Sequence, residues 1–217
     1  MSETAKRILV AFGMGAVILA AAWLESVGLA AVLWLCTLVG IAMIAEFTKC
    51  IWNAPRNVMF NLRNVCVFLM FLALLVLDAV SFWHLGHRPM LVLLILLTVC
   101  AADIGAWFFG RTFGGDKLWE KISEHKTWTG QIFGILCGTA MSVIYGYIVL
   151  NGFVPQLLWI GISISLLSQY GDLTASFVKR RLGIKDFSNI LAGHGGIIDR
   201  FDGWTYVLPL VWMLLTR

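Results

Sequence analysis

Long apolar runs, each about as long as a bilayer is thick, constrain this chain more than any other feature. Of its 217 residues, 60% are hydrophobic and 13% are charged, whereas a soluble domain carries about 25% charged residues. Apolar runs of roughly 17–20 residues are long enough for a transmembrane helix. Because backbone groups in lipid must be hydrogen-bonded within the segment itself, we expect an all-α, polytopic helical membrane protein.

About seven apolar segments are predicted to span the membrane. They cover residues 8–24, 27–45, 65–83, 90–109, 131–150, 156–170 and 204–215. The sixth is expected to continue as a helix through Arg181. Lys6 and Arg7 precede the first apolar run, but no cleavage site with small residues follows it, which indicates a retained helix and not a secretory signal.

The basic residues predict the orientation of these spans. With the N-terminus in the cytoplasm, all of the 16 Lys and Arg residues except Arg88 and Arg217 lie on the cytoplasmic side. The polar segments 110–130 and 171–203 then share that side, where nucleotides are available. Residues 1–217 are predicted to form one integral-membrane domain. It comprises N-terminal spans, a catalytic region and a last span, over 1–100, 101–203 and 204–217.

The segment 176–202 concentrates acids, bases and a histidine around the turn 193–196 in an otherwise apolar chain. Carboxylates can bind Mg²⁺, and Lys and Arg can bind phosphate. Glycines in the turn let the backbone approach a ligand closely. If the preceding helix continues, one face carries an acid, a hydroxyl and two bases, namely Asp172, Ser176, Lys179 and Arg180. This pattern indicates chemistry on a nucleotide or a phospholipid.

Simpler structural explanations stay open for several of these features. Lys179, Arg180 and Arg181 also fit a positive-inside anchor at a helix end, and the glycines also fit a plain tight turn. His194 is either a structural residue or a contact to a phosphate or lipid headgroup. Asp103, in the cytoplasmic half of an apolar run, is a functional candidate because a carboxylate is costly there; otherwise it pairs with a neighbouring base.

Other isolated polar residues in the apolar runs are expected to be structural. Asp78 lies toward the outer side of its run. Five cysteines have a spacing that fits no zinc or disulfide pattern, and we expect them to be buried small hydrophobic residues. They are Cys36, Cys50, Cys66, Cys100 and Cys137.

The segment 176–202 closely resembles the signature of the phosphatidate cytidylyltransferases, or CDP-diacylglycerol synthases. In that signature a Ser precedes Lys-Arg, Lys-Asp follows, and the end reads His-Gly-Gly-x-x-Asp-Arg-x-Asp. The matching residues are Ser176, Lys179, Arg180, Lys185, Asp186, His194, Gly195, Gly196, Asp199, Arg200 and Asp202. Ala192 departs from the family's usual Pro, which is expected to loosen the turn without removing a reactive group.

A second region, within 100–130, agrees with this resemblance. Residues 102–111 resemble the family's Asp-x-Gly-Ala-Tyr segment, with Trp107 in place of Tyr. Residues 123–130 resemble Ser-Pro-Lys-Lys-Thr-Trp-Glu-Gly, and three positions depart: Glu124, His125 and Thr129. The residues that match there are Ser123, Lys126, Thr127, Trp128 and Gly130.

The resemblance implies an enzyme that transfers CMP from CTP to phosphatidate, giving CDP-diacylglycerol and pyrophosphate. It implies Mg²⁺, as one ion or two, with Asp172 and Asp199 as main ligands and Asp202 and Asp103 in support. The catalytic residues that it implies are Asp172, Asp199, Lys126, Lys179, Arg200 and His194. Those that it implies for substrate binding are Ser123, Thr127, Trp128, Ser176, Arg180, Lys185, Gly195 and Gly196.

The expected partners are CTP, phosphatidate and membrane lipids, with no nucleic acid, and a homodimer is left open. The site is expected on the cytoplasmic side of a bacterial inner membrane. Three alternatives remain: a CTP-dependent enzyme acting on another lipid, a non-catalytic member that binds lipid or CTP, and a transporter or channel. Charges clustered at one interface argue against the transporter or channel, which would place ionisable groups at mid-membrane.

Overall fold

The computed structural model of the chain describes residues 16–17, 20–21, 24–25, 30–59, 61–149, 151–191 and 195–215. Its helices are α1 (Ala31–Trp52), α2 (Arg56–Met59), α3 (Leu62–Leu85), α4 (Pro89–Phe113), α5 (Trp128–Val149), α6 (Gln156–Leu182), α7 (Ile198–Phe201) and α8 (Val207–Leu215). Two short strands, β1 (Lys117–Trp119) and β2 (Ser123–Thr127), and a 3₁₀ turn, Asp202–Trp204, complete the described elements. The mostly helical architecture is the one that the sequence predicts.

Four of the described helices, α1, α3, α4 and α5, are long and apolar enough to cross a membrane. Helix α6 has 27 residues but ends in a basic turn, and α8 has only nine residues. Most of the predicted first span, 8–24, lies outside the described residues. The prediction of a mostly helical protein is confirmed, and the described residues include four candidate membrane-spanning helices; the number of seven spans and the cytoplasmic N-terminus stay predictions.

The chain divides into two compact units. The first unit comprises residues 1–89 and 177–217, and the second comprises residues 90–176. Helix α6 contributes residues to both units, because it runs without interruption to Leu182. The prediction that the sixth segment continues as a helix through Arg181 is therefore confirmed.

Within the first unit, helices α1 and α3 pack closely because a glycine faces a small residue. A Cβ atom on Gly40 of α1 would lie only 2.8 Å from the Cα atom of Ala79 on α3. Small residues at such crossings allow the close backbone approach that stabilises helix pairs in membranes. Near the C-terminal end of α1, Phe47 and Phe71 pack edge to face with ring centroids 5.0 Å apart, and Phe187 stacks on Phe71 at 5.8 Å. This aromatic group anchors the segment that follows α6.

Within the second unit, glycines one turn apart on α5 lie against the backbone of α4. A Cβ on Gly130 would lie 2.7 Å from the carbonyl oxygen of Ala106, and one on Gly134 would lie 2.9 Å from that of Ala102. Buried polar side chains then join the helices, as where the Tyr145 hydroxyl donates to the Met90 carbonyl at 2.6 Å. This close packing fixes the two helices that carry Asp103 and Trp128.

The polar segment 110–130 contains a structure that the all-α prediction omits. Strands β1 and β2 pair antiparallel, with Lys117 opposite Thr127 and Trp119 opposite Ser123. The pairing satisfies backbone groups of a segment too polar to join a span. It also fixes the position of the residues of β2 at the start of α5.

The cysteines only partly follow the prediction of burial. Cys36 is buried and Cys50 and Cys137 are half-buried, but Cys66 and Cys100 are exposed on α3 and α4. Burial is not required of an apolar residue on a membrane span, because lipid tails are as apolar as a protein interior.

Gly40→Ala is expected to lower the apparent Tm of the protein in detergent. The added methyl group would meet main-chain atoms of α3, and overpacking of this kind costs about 1–3 kcal/mol, against a gain of ~1 kcal/mol in helix propensity. Gly152→Ala is the control, because a Cβ there meets nothing within 4 Å. Equal Tm values for the two variants would contradict the close α1–α3 contact.

Candidate active site

The predicted site residues fall into two clusters, one in each unit. The Asp172 cluster, in the second unit, contains Asp103, Ser123, Lys126, Thr127, Trp128, Asp172 and Ser176. The Asp199 cluster, in the first unit, contains Lys179, Arg180, Lys185, Gly195, Gly196, Asp199, Arg200 and Asp202. The predicted catalytic residue His194 and the departing Ala192 lie outside the described residues.

An ion pair forms the centre of the Asp172 cluster. The Nζ atom of Lys126, on β2, lies 2.5 Å from Oδ2 of Asp172, on α6, and the two side chains are 26% and 36% exposed. The hydroxyl of Ser176, one turn further along α6, donates to Asp172 Oδ1 at 3.3 Å. Lys126 Nζ hydrogen-bonds to no other group in the described part of the chain. The Nζ atom itself is buried, so these remaining donors are unsatisfied unless an anion lies beside Asp172.

Asp103 adds a second carboxylate to this cluster. It is exposed on α4, and Asp172 and Lys126 are the charged groups that act on it electrostatically. An exposed carboxylate inside an apolar span is costly unless it meets water, a partner or a ligand. Two acids and a lysine in one neighbourhood can hold a divalent cation and a phosphate group.

Thr127 fixes the position of Lys126 by ending β2 and starting α5. Its hydroxyl oxygen accepts a hydrogen bond from the Gly130 N–H at 3.1 Å, which is the usual way to cap a helix N-terminus. A Cβ on Gly110 would lie 2.9 Å from the same hydroxyl oxygen. The helix cap and the close packing thus explain why Thr and Gly occupy these positions of the motif. Trp128, in contrast, is 55% exposed and free to contact lipid or substrate.

A buried ion pair forms the centre of the Asp199 cluster. Lys179 Nζ lies 2.7 Å from Asp199 Oδ1, and the two side chains are only 12% and 4% exposed. The other oxygen of Asp199 accepts hydrogen bonds from the backbone N–H groups of Phe187 and Gly196, both at 2.9 Å. Asp199 thereby joins the end of α6 to both arms of the segment 187–198.

Glycine is needed for different physical reasons at the two described glycine positions of the signature, Gly195 and Gly196. Gly195 has a φ of +79°, which favours glycine because other residues are strained there. At Gly196 a side chain would meet the carboxyl group of Glu46, whose Cδ atom would lie 2.6 Å from the added Cβ. Leu191 pairs with Gly195 across the turn.

Glu46 is a site residue for which the sequence predicts no role, because Glu46 and Phe47 are only a faint echo of the family pattern. It lies on α1, is 5% exposed, and accepts hydrogen bonds from the Ile198 N–H at 2.8 Å and from the Ser188 hydroxyl. Isolation in an apolar run, the same signal that marks Asp103, could have found it. A cavity of about 330 Å³ in the first unit is lined by Glu46, Ser188, Lys49 and Phe187, among others.

The remaining cations of the Asp199 cluster are placed for contact with an anion. Arg180, Lys185 and Arg200 are exposed, and Arg180 Nη1 donates to the Ile184 carbonyl at 3.4 Å. Asp202 is half-buried, and its Oδ1 accepts a hydrogen bond from the Gly203 N–H at 2.9 Å. Within the described residues, no three His, Cys, Asp or Glu side chains converge on a single point.

Comparisons with known proteins agree with the signature. The sequence model of the cytidylyltransferase family matches residues 56–217, which include both clusters. The phosphatidate cytidylyltransferase of Staphylococcus haemolyticus (strain JCSC1435) is 43% identical over 127 residues, which are 58% of this chain and 49% of that relative. The proteins of the same name from Staphylococcus epidermidis (strain ATCC 12228 / FDA PCI 1200) and Staphylococcus aureus (strain COL) have the same identity and coverage. The chain spans about half the length of the curated relatives that it matches.

Asp199→Ala is expected to destabilise the protein strongly, and a second substitution, Lys179→Met, is expected to restore part of the loss. Removing one partner of a buried ion pair costs about 3–5 kcal/mol, much of it from the charge left unpaired. The apparent Tm in detergent measures both effects, with the exposed Asp186→Ala as control. A double variant no more stable than Asp199→Ala would contradict the buried pair.

Proposed function

The chain belongs to the cytidylyltransferase family, and on this basis we propose that it is a phosphatidate cytidylyltransferase. A phosphate oxygen of phosphatidate attacks the α-phosphorus of CTP, and the bond from that phosphorus to the bridging oxygen of the β-phosphate breaks. The products are CDP-diacylglycerol and pyrophosphate. The observation that carries this proposal is the family match over 56–217, joined to 43% identity with proteins named for this reaction.

The attacking group needs no strong base in this reaction. A phosphate monoester is already anionic at neutral pH, so the barrier comes chiefly from bringing two anions together. Fixed cations and hydrogen-bond donors lower such a barrier. What the protein must supply is therefore positive charge, orientation and a site that a two-tailed lipid can reach from the membrane.

Lys126 is the best-supported phosphate contact in the Asp172 cluster. Its Nζ atom is buried beside Asp172 and has unsatisfied donors within the described residues, which a substrate phosphate would satisfy. Ser123 and Ser176 add hydroxyl donors in the same unit. From the Asp199 cluster we propose that exposed bases hold phosphates of CTP or of the lipid, with backbone N–H groups of the glycine turn in support. They are Arg180, Lys185 and Arg200, with Lys179 and His194 as further candidates. Of the turn glycines, Gly195 is the one proposed to donate its N–H, because the Gly196 N–H already donates to Asp199.

Mg²⁺ is the cofactor that we propose, and Asp103 and Asp172 fit the ligand role best. Each oxygen of Asp172 has one described partner and thus a lone pair to spare, and Mg²⁺ is usually bound by one or two carboxylates plus substrate phosphates. Bound Mg²⁺ would neutralise charge on the triphosphate. Asp199 fits less well, because a metal there would have to displace the Lys179 amine. A ligand role for Asp202 stays a prediction.

Purified protein in detergent with Mg²⁺ is expected to convert CTP and phosphatidate to CDP-diacylglycerol and pyrophosphate. Asp172→Asn is expected to lower kcat by about 10²–10³-fold, the usual effect of removing one preorganised polar group from a reacting centre. Asp116→Asn, an exposed acid outside the motifs, should leave the rate unchanged. Both products are measured chromatographically with radiolabelled CTP.

The outcomes of this assay separate the alternatives. Product from another phosphorylated lipid but not from phosphatidate would support a related CTP-dependent enzyme. No product from folded protein with any acceptor would overturn the enzyme proposal and favour a member that only binds lipid or CTP; the departures Glu124, His125 and Thr129 are the sequence feature on that side. Full activity in Asp172→Asn would remove Asp172 from the reacting centre.

We also propose that the polar segments 110–130 and 171–203 face the cytoplasm, where CTP is available. The distribution of Lys and Arg supports this orientation, and bacterial relatives support the plasma membrane as the location. Glu120→Cys, in the exposed turn between β1 and β2, is expected to react with a membrane-impermeant maleimide only in inside-out vesicles. Arg88→Cys, predicted on the outer side, should react in intact spheroplasts, and wild-type protein gives the background from native cysteines. The reverse pattern would invert the topology.

A further inference from the structure

Glu46 has polar partners that are unusual for a residue of a membrane-spanning helix. It lies on α1, outside the residues that the family model matches, and is 5% exposed. Both carboxyl oxygens are used: Oε2 accepts from the Ile198 N–H at 2.8 Å, and Oε1 accepts from the Ser188 hydroxyl. Gly196 leaves the space that the carboxyl group occupies.

Two carboxyl groups thus hold the segment 187–198 at the same two places. On the first arm, Asp199 accepts from the Phe187 N–H, and Glu46 accepts from the next residue, Ser188. On the second arm, Asp199 accepts from the Gly196 N–H, and Glu46 accepts from the N–H of Ile198. Since Asp199 belongs to the segment's own end, Glu46 is, among the described residues, the side chain that hydrogen-bonds both arms to a helix outside the signature.

We propose that Glu46 is a positioning residue, which fixes the signature segment 187–198 for the cytidylyl transfer. The proposal rests on the proposed function for its catalytic consequence. Loss of the two contacts would leave the buried Ile198 N–H and the half-buried Ser188 hydroxyl without these acceptors, which destabilises the observed placement of both groups. The segment would then sample other conformations, and Arg200 and the Lys179–Asp199 pair would lose their fixed placement.

An apolar residue at position 46 would be sufficient if the position only filled space. Phe47 and Met43, its neighbours on α1, are fully buried apolar residues, and burying a carboxyl group in their place costs free energy unless it is hydrogen-bonded. The carboxyl group is explained by the donors that it binds in the segment 187–198. We therefore expect the reaction to require hydrogen-bonding capacity at position 46, and not charge.

The test compares Glu46→Gln and Glu46→Leu in the full-length protein in detergent. Gln keeps an acceptor for the Ile198 N–H and can donate to the Ser188 hydroxyl oxygen, whereas Leu offers neither. Hydrogen–deuterium exchange of peptides covering 187–201 measures the segment directly, and kcat and the KM for CTP measure the reaction. Ser188→Ala removes one contact with little change in volume, and Thr48→Ala, exposed on the same helix, is the control.

Glu46→Leu is expected to exchange the Ile198 amide at least about tenfold faster and to lower kcat by a similar factor, with a smaller change in KM. Glu46→Gln is expected to recover most of both quantities, and Ser188→Ala to lie between.

Unchanged exchange in Glu46→Leu would overturn the proposal, and so would faster exchange with unchanged kcat and KM, which would leave Glu46 a purely structural residue. If Glu46→Leu does not fold, Ser188→Ala decides: faster exchange with a lower kcat would support the proposal, and wild-type exchange and kcat would overturn it. A wild type that makes no CDP-lipid would overturn the proposed function alone, and the exchange of the Ile198 amide would then support or overturn the positioning of the segment.

Discussion

The cost of placing a carboxyl group among apolar helices is the constraint on which the polar parts of this structure depend. Such a group is costly without donors, and three of the described acids find them in different ways, whereas Asp78, fully buried on α3, has no hydrogen-bond partner within the described residues. Glu46 and Asp199 take backbone N–H groups of one irregular segment, while Asp172 takes a lysine. The requirement to satisfy the acids and the requirement to hold a loop in place are met by the same hydrogen bonds. Because the same hydrogen bonds meet both requirements, we expect the signature to be rich in acids and glycines.

Much of the helical architecture can be predicted from hydropathy, because bilayer thickness fixes the length of an apolar helix. The continuation of α6 to Leu182 is also predictable, since no proline lies between Gln156 and Leu182 and the next glycine that can end the helix is Gly183. The hairpin of β1 and β2 is not, because its pairing depends on the ends of α4 and α5 that bring the strands together. The count of spans depends on segments such as α6, where Ser, Gln and charged residues lower the hydropathy below that of a typical span.

Where a motif exists, the residues of the candidate site can be predicted one by one. Why each position needs its particular residue type is seen only in the structure. The family resemblance is confirmed, yet sequence alone assigns the turn glycines one common reason. In the structure, Gly195 meets a backbone requirement and Gly196 a spatial one. Glu46 is separated from the turn by about 150 residues of chain, so no local pattern connects them. No rule of sequence spacing predicts which distant backbone N–H groups a lone acid will bind.

The two lysine–carboxylate pairs suit different tasks because they differ in exposure. Lys179 and Asp199 are 12% and 4% exposed, and separating a pair so deeply buried is costly; this pair is suited to holding structure. Lys126 and Asp172 are 26% and 36% exposed, although Lys126 Nζ itself is buried and has no hydrogen-bond partner beyond Asp172 in the described residues. Under the proposed function, a phosphate beside Nζ would satisfy these donors, and Asp172 would keep lone pairs for a metal ion. The second pair is thus better suited than the first to bind and release a substrate in each turnover.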